Sequence, residues 1–160
     1  MDSAQRIDFL VKSLQLLPHP EGGFFKETYR SKDLLETPFG KRNLTTSIFF
    51  LLTSENVSRF HRIKSDEHWY FHEGSPLTVH TLSEKGHSKL ALGPVEEGYS
   101  PYQLVPANVI FGSSVDNPDS YSFVSCVVSP GFDFHDFELF DSSTLLKDFP
   151  DHSEIIEKLT

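Results

Sequence analysis

The chain of 160 residues has one cysteine, one tryptophan and one methionine. With Cys126 alone, an intramolecular disulfide and a thiolate metal cluster are both excluded. Its flanks, Phe123-Val124-Ser125 and Val127-Val128, read as a buried strand, so the thiol is expected to be a small core group rather than a reactive one. Long apolar runs are also missing. The longest, Ile48 to Leu52, falls far short of the roughly 20 residues that span a bilayer. No basic segment followed by an apolar one opens the chain, so no signal peptide is expected and the expected location is cytoplasmic. There is no Gly-rich nucleotide fingerprint, no P-loop and no G-x-S-x-G. Positive charge is scarce, with 14 Lys and Arg against 23 Asp and Glu and a net charge of −9. Nucleic acid and anionic membrane surfaces both need a basic face, so neither is an expected partner.

What the chain has is Phe, at 15 residues, and turn formers spread singly, 10 Pro and 9 Gly. The length suits one domain with a real core, taken as residues 1–160 with a barrel core at about 24–140. Ile7, Leu10, Val11, Leu14 and Leu17 recur every three or four positions, which predicts a helix over about 4–17. Asp2 or Ser3 caps it, and Pro18 and Pro20 stop it. A second helical region is expected at about 142–159. Between them, short runs at 24–29, 45–53, 58–63, 68–73, 76–82, 88–92, 102–105, 108–111 and 121–129 alternate with turn residues. Strands of this length without intervening helices indicate an all-β sandwich or barrel. Residues 31–43 are polar, carry Pro38 and Gly40, and are expected to form a loop that covers the pocket or simply connects strands.

The segment from Phe60 to Gly74 carries the chemistry. Residues i and i+2 of a strand share a face. His61 and Ile63 therefore point one way, and after a turn at Ser65-Asp66, Glu67, Trp69 and Phe71 return to that side. An imidazole and a carboxylate meeting inside an aromatic hollow suit acid–base work or metal binding. His61 and Glu67 are the candidate catalytic pair.

The same residues resemble the first cupin motif, with His61, Glu67 and Gly74 in register and Ile63 where a second His is usual. The second motif is partly present: Pro106 is in place, but Asn108 replaces its Gly and Phe111 its His. Further stretches resemble the cupin_5 family of small single-domain cupins of unknown function. They are Leu17-Pro18-His19-Pro20-Glu21-Gly22-Gly23-Phe24-Phe25, Thr46 to Leu52, Ser65 to Trp69 with Gly74 to Leu77, and Ser129 to Leu139. They cover residues 17–140. The resemblance implies a double-stranded β-helix of the cupin or jelly-roll type with a buried pocket, often a homodimer. It also implies kinship in fold with sugar-nucleotide 3,5-epimerases and with germin-like and auxin-binding barrels, and it fixes no reaction.

Several side chains are candidates for contact with a small-molecule ligand, each with a plain structural alternative. Trp69, Phe71, Phe111 and Phe60 form a stacking wall or only core. Tyr29 supplies a phenol or packs at the rim. Arg59 clamps an anion or lies on the surface, as do Arg30 and Arg62. Asp133 or Glu138 holds His61 or an arginine from behind, or sits on a charged edge strand. Glu21 with Gly22-Gly23 brings a loop to the pocket mouth or makes a plain turn. No cofactor is expected, and a divalent metal on His61 and Glu67 is the weaker alternative because two ligands hold an ion poorly. Three functions remain open: a metal-independent epimerase or isomerase acting on a sugar-like or carbonyl metabolite, a metabolite-binding protein without catalysis, and a metal-dependent oxygenase or lyase.

Overall fold

The computed structural model describes residues 1–160. Helix α1 runs over Ser3–Leu14, with the Asp2 side chain accepting from the Gln5 N–H and the Gln5 side chain returning the bond. The helix ends earlier than its apolar spacing predicts, because Gln15 turns left-handed with φ 57°. Leu17–Pro18 then form the short strand β1.

Two antiparallel sheets make the body. The larger has the order β1-β2-β5-β12-β7-β10, with β2 at Phe24–Arg30, β5 at Thr46–Thr53, β7 at Asp66–Gly74, β10 at Tyr102–Val105 and β12 at Tyr121–Ser129. The smaller has the order β13-β6-β11-β8-β9, with β6 at Ser58–Arg62, β8 at Leu77–Ser83, β9 at Gly86–Leu92, β11 at Ile110–Val115 and β13 at Glu138–Leu139. The polar stretch expected to be a loop is a hairpin of β3 (Leu34–Thr37) and β4 (Gly40–Asn43). Its turn holds Pro38 and Phe39, and the Thr37 hydroxyl bonds the Gly40 carbonyl.

The apolar run Ile48 to Leu52 has a reason in this layering. Phe50 and Leu52 point between the sheets and join the central core with Trp69, Val79, Phe111 and Val124. Leu51 points outward and is still fully buried, because α1 lays Leu10 over it beside Phe123. A strand covered on both faces loses the polar alternation of a half-exposed one. Each such leucine contributes roughly 1.5–3 kcal/mol. The other sheet is covered at its outer face by α2 (Ser142–Asp148) and α3 (Ser153–Lys158), whose Leu145, Ile156 and Leu159 pack on Phe60, Leu82 and Ile110. The C-terminal helical region is thus two short helices, broken at Pro150. No helix is long and apolar enough to cross a membrane.

Cys126 lies on β12 facing the interior, 2% exposed. Burial pushes its thiol well above its usual range, and the carboxylates Glu67 and Glu21 push it further. The thiol is therefore expected to resist a disulfide reagent at pH 8 in the native state and to react at once in denaturant. A native-state rate near that of free cysteine, followed by absorbance, would contradict this placement.

Candidate functional site

A cavity of about 350 Å³ opens between the sheets, at the low end of ligand pockets in size. His61 and Glu67 both line it, from facing walls, because β6 and β7 belong to different sheets. Trp69 joins them from the same face of β7, and its indole N–H donates to Glu67 Oε2 at 2.9 Å. Phe25, Phe50, Phe132, Phe134 and Phe137 supply most of the remaining apolar wall.

The decisive neighbour of His61 comes from outside the barrel strands. Between β1 and β2 the chain makes a tight turn, with the His19 N–H on the Gly23 carbonyl and the Gly22 N–H on the His19 carbonyl. Gly22 has φ +116°, and a Cβ there would sit 1.9 Å from the Val57 carbonyl oxygen. Only glycine lets this turn press so closely on the barrel. Arg59 fixes it from the other side. Its backbone N–H and Nε both donate to the Glu21 carbonyl, at 2.8 and 3.3 Å, and its guanidinium also binds the Pro20 carbonyl. So held, the Glu21 carboxylate enters the cavity with Oε2 at 2.8 Å from His61 Nε2.

His61 donates its other proton, on Nδ1, to the Arg59 carbonyl at 2.7 Å. Both ring nitrogens therefore face acceptors, the arrangement of an imidazolium. Burial alone would lower the His61 pKa; the charge and hydrogen bond of Glu21, then the charge of Glu67, outweigh it and raise it. Burial alone would raise Glu21; His61, with a smaller part from His19, brings it below the usual carboxylate range. Glu67 has no such cation of its own. Burial, with the charge on Glu21, pushes it up to about 7. His19, whose Nδ1 accepts the Glu21 N–H, is held neutral by burial. The site thus holds one ionised carboxylate paired with an imidazolium and one carboxyl that keeps its proton near neutrality.

Of the remaining residues that the sequence nominates, Arg30 and Asp133 line the cavity and the others fall elsewhere. Phe111 stands behind His61, ring centres 4.1 Å apart, and supports it without facing the cavity. Phe71 packs on the core further along β7, and Phe60 lies under the C-terminal helices. Tyr29 is 56% exposed on β2 and no tyrosine lines the cavity. Arg59 grips backbone carbonyls rather than an anion. Glu138 pairs with Arg62 at 2.7 Å on the surface, and Asp133 bonds His135 at 2.6 Å, so neither stands behind His61. The segment from Phe132 to Phe137, for which an edge strand is one of two readings, is a turn around Phe134–Asp136 that puts its phenyl rings and Asp133 at the mouth, and only Glu138–Leu139 form an edge strand. The Glu21-Gly22-Gly23 turn does reach the pocket, one of the two readings the sequence allowed, but sequence reasoning assigned no role to the Glu21 carboxylate itself.

The donor set does not fit a catalytic metal. No three His, Cys, Asp or Glu side chains are arranged to hold an ion. Both His61 nitrogens are engaged, and Ile63 and Phe111 bring hydrocarbon where ligands would be needed. His72 bonds Ser125, and His80 bonds His87. A second cavity, about 510 Å³, lies beside His80, His87 and His152 under α3. It is larger but polar, and its buried histidine satisfies itself on His87 and Ser114.

Two antiparallel sheets folded over a pocket, with His61 and Glu67 brought into it by the first motif strands, define a cupin. The chain belongs to the cupin_5 family: the family's model, described as Cupin superfamily (DUF985), matches residues 8–140. It is 29% identical over 154 residues to Uncharacterized protein YML079W of Saccharomyces cerevisiae, covering 86% of this chain and 77% of that one. A hypothetical protein from Leishmania major superposes with TM-score 0.89 at 39% identity, over 96% of this chain and 97% of that one. Protein SO0799 from Shewanella oneidensis does so with TM-score 0.88 at 41% identity, over 100% and 98%. An oxalate decarboxylase of Bacillus subtilis shares only the fold, at TM-score 0.56 and 16% identity, over 89% of this chain and 36% of that one.

Proposed function

We propose that the chain binds a small organic molecule in the cavity and moves a proton on it, as a metal-independent isomerase or epimerase of a carbonyl compound. The observation that carries this reading is the split between two buried carboxyl groups, one held ionised and one held protonated near neutrality. Two titratable groups driven apart by their surroundings are the mark of a base and an acid. Glu21 with His61 takes the proton from the carbon next to the carbonyl. The bonding pair moves into an enolate or enediol as the carbonyl oxygen receives the Glu67 proton. Reversal returns a proton to the opposite face or to the neighbouring carbon, and both carboxyl groups recover their starting states. No electron is gained or lost overall.

This adds Glu21 to the pair, His61 and Glu67, that the sequence names. His61 cannot act alone, because its Nε2 already faces Glu21. The two titrate as a unit. The test is proton NMR of 2-hydroxycyclohexanone in deuterium oxide with purified protein. The proton beside the carbonyl is expected to exchange faster than in buffer, and the gain is expected to vanish in Glu21→Gln and Glu67→Gln. Exchange at the buffer rate, or undiminished in both variants, would overturn the mechanism. Binding without exchange would instead make the chain a metabolite-binding protein.

A further inference from the structure

Resting on the reading of this cavity as the ligand site, we infer that its guest is an uncharged ring-sized hydroxy or oxo compound, and that the site rejects phosphorylated and carboxylated molecules.

The argument is a census of charge. One permanently charged cation lines the cavity, Arg30. Its Nε and one terminal nitrogen both bond Glu27 Oε1, at 3.1 and 2.7 Å. The other terminal nitrogen bonds Asn43 Oδ1 and the Phe132 carbonyl, at 2.7 and 3.1 Å. Four of its five N–H donors are so engaged, which leaves a single N–H and no bidentate fork for a second anion. Arg42, nearby, is bidentate on Asp136. Inside, the imidazolium of His61 is matched by Glu21.

An anion entering would therefore shed its water without gaining a bidentate partner, and would pass Glu27 and Asp133 to approach Glu21. Burying an unpaired charge is heavily penalised, and like charges brought together repel. A cation fares no better at the end of the pocket, where the one ionised carboxylate already has its counterion. An uncharged molecule avoids both penalties. Phe25, Phe50, Trp69 and Phe137 offer it ring surface, and the Glu67 carboxyl offers one hydrogen bond to an oxygen. The volume of about 350 Å³ accommodates a ring and its substituents.

Trp69 is the one tryptophan in the chain and lies in this wall, so its fluorescence reports occupancy of this cavity alone. The probes are cyclohexanone, cyclohexanecarboxylate and cyclohexylammonium, matched in shape and titrated at pH 6, where Glu67 holds its proton. Cyclohexanone is expected to shift Trp69 emission at concentrations at least tenfold below either ion. Glu27→Gln removes the negative charge that neutralises Arg30 at the mouth and is expected to let the carboxylate bind several-fold better, with the ketone unchanged. Equal or tighter binding of either ion to the native protein, silence of all three probes, or no gain for the carboxylate in Glu27→Gln would each overturn the inference. These results are read from binding, whereas the proton-transfer mechanism is read from isotope exchange, so one can fail while the other stands.

Discussion

Replacing Glu21 with Leu is expected to lower the melting temperature by roughly 10 °C and to abolish proton exchange. Its carboxylate is 6% exposed and is the one counterion within hydrogen-bond reach of a His61 that is itself 3% exposed. Removing one partner of a buried ion pair leaves the other uncompensated, at a cost of about 3–5 kcal/mol. For a chain of this length each kcal/mol moves the midpoint by roughly 2–4 °C. His61→Leu should cost a similar amount, since it strands Glu21 and the Arg59 carbonyl. The double variant decides the matter. Apolar residues can replace such a pair at little net cost, so the double loss should fall below the sum of the singles by about 1–3 kcal/mol. Additive losses measured by thermal denaturation would show that the two side chains do not act as a pair.

Glu67 leads to a second large effect, in pH. Held at about 7 rather than 4.5, it binds its proton more tightly in the folded chain than in the unfolded one. The sign follows directly. Protonation favours the fold, so its contribution is complete below about pH 4.5 and drains away as pH rises through 7. A proton held about 2.5 pH units more tightly corresponds to roughly 3 kcal/mol. The raised His61 works in the same direction, losing its contribution as pH climbs past its folded value. Glu21, lowered, works oppositely and loses its contribution as pH falls below the ordinary carboxylate range. The lowered values of His19, His72, His80 and His87 work the other way across this range. The contribution of Glu67 is therefore read against Glu67→Gln, which cannot titrate: the native protein should lose stability to urea relative to this variant as pH rises from 5 to 8. An equal pH slope in the two proteins would show that Glu67 is not buried in its acid form.

The strands with strong alternation or unbroken apolar runs were legible from residue order. So were the inward turn of His61 and the common face of Glu67 and Trp69, because a period of two is local; the sequence put His61 and Glu67 on one side, whereas they meet from facing sheets. Phe111 was misjudged for a reason of depth. It aligns with His61 across β6 and β11 and still stands behind that ring rather than beside it. Register fixes neighbours along a sheet but not which ring reaches the open volume. The β3–β4 hairpin was hidden because its side chains are mostly polar on both faces, so no alternation marks it. The mouth segment failed differently. Asp133 turns back to take the His135 N–H, a local bond that competes with strand geometry. Glu21 escaped because its contact with His61 joins positions 40 residues apart through a turn whose course depends on Val57 and Arg59.

That turn has a consequence for how the molecule comes to life. The strands that close the barrel can pair while the ribbon before β2 is still adrift, because β1 contributes only two residues to the sheet. In such a state the hollow exists and the imidazole waits in it, but the base has not arrived. On the proposed reading, competence therefore depends on the docking of this turn at the edge of the structure, where local opening is easiest. A brief detachment of this one strap would idle the reaction without unfolding anything else.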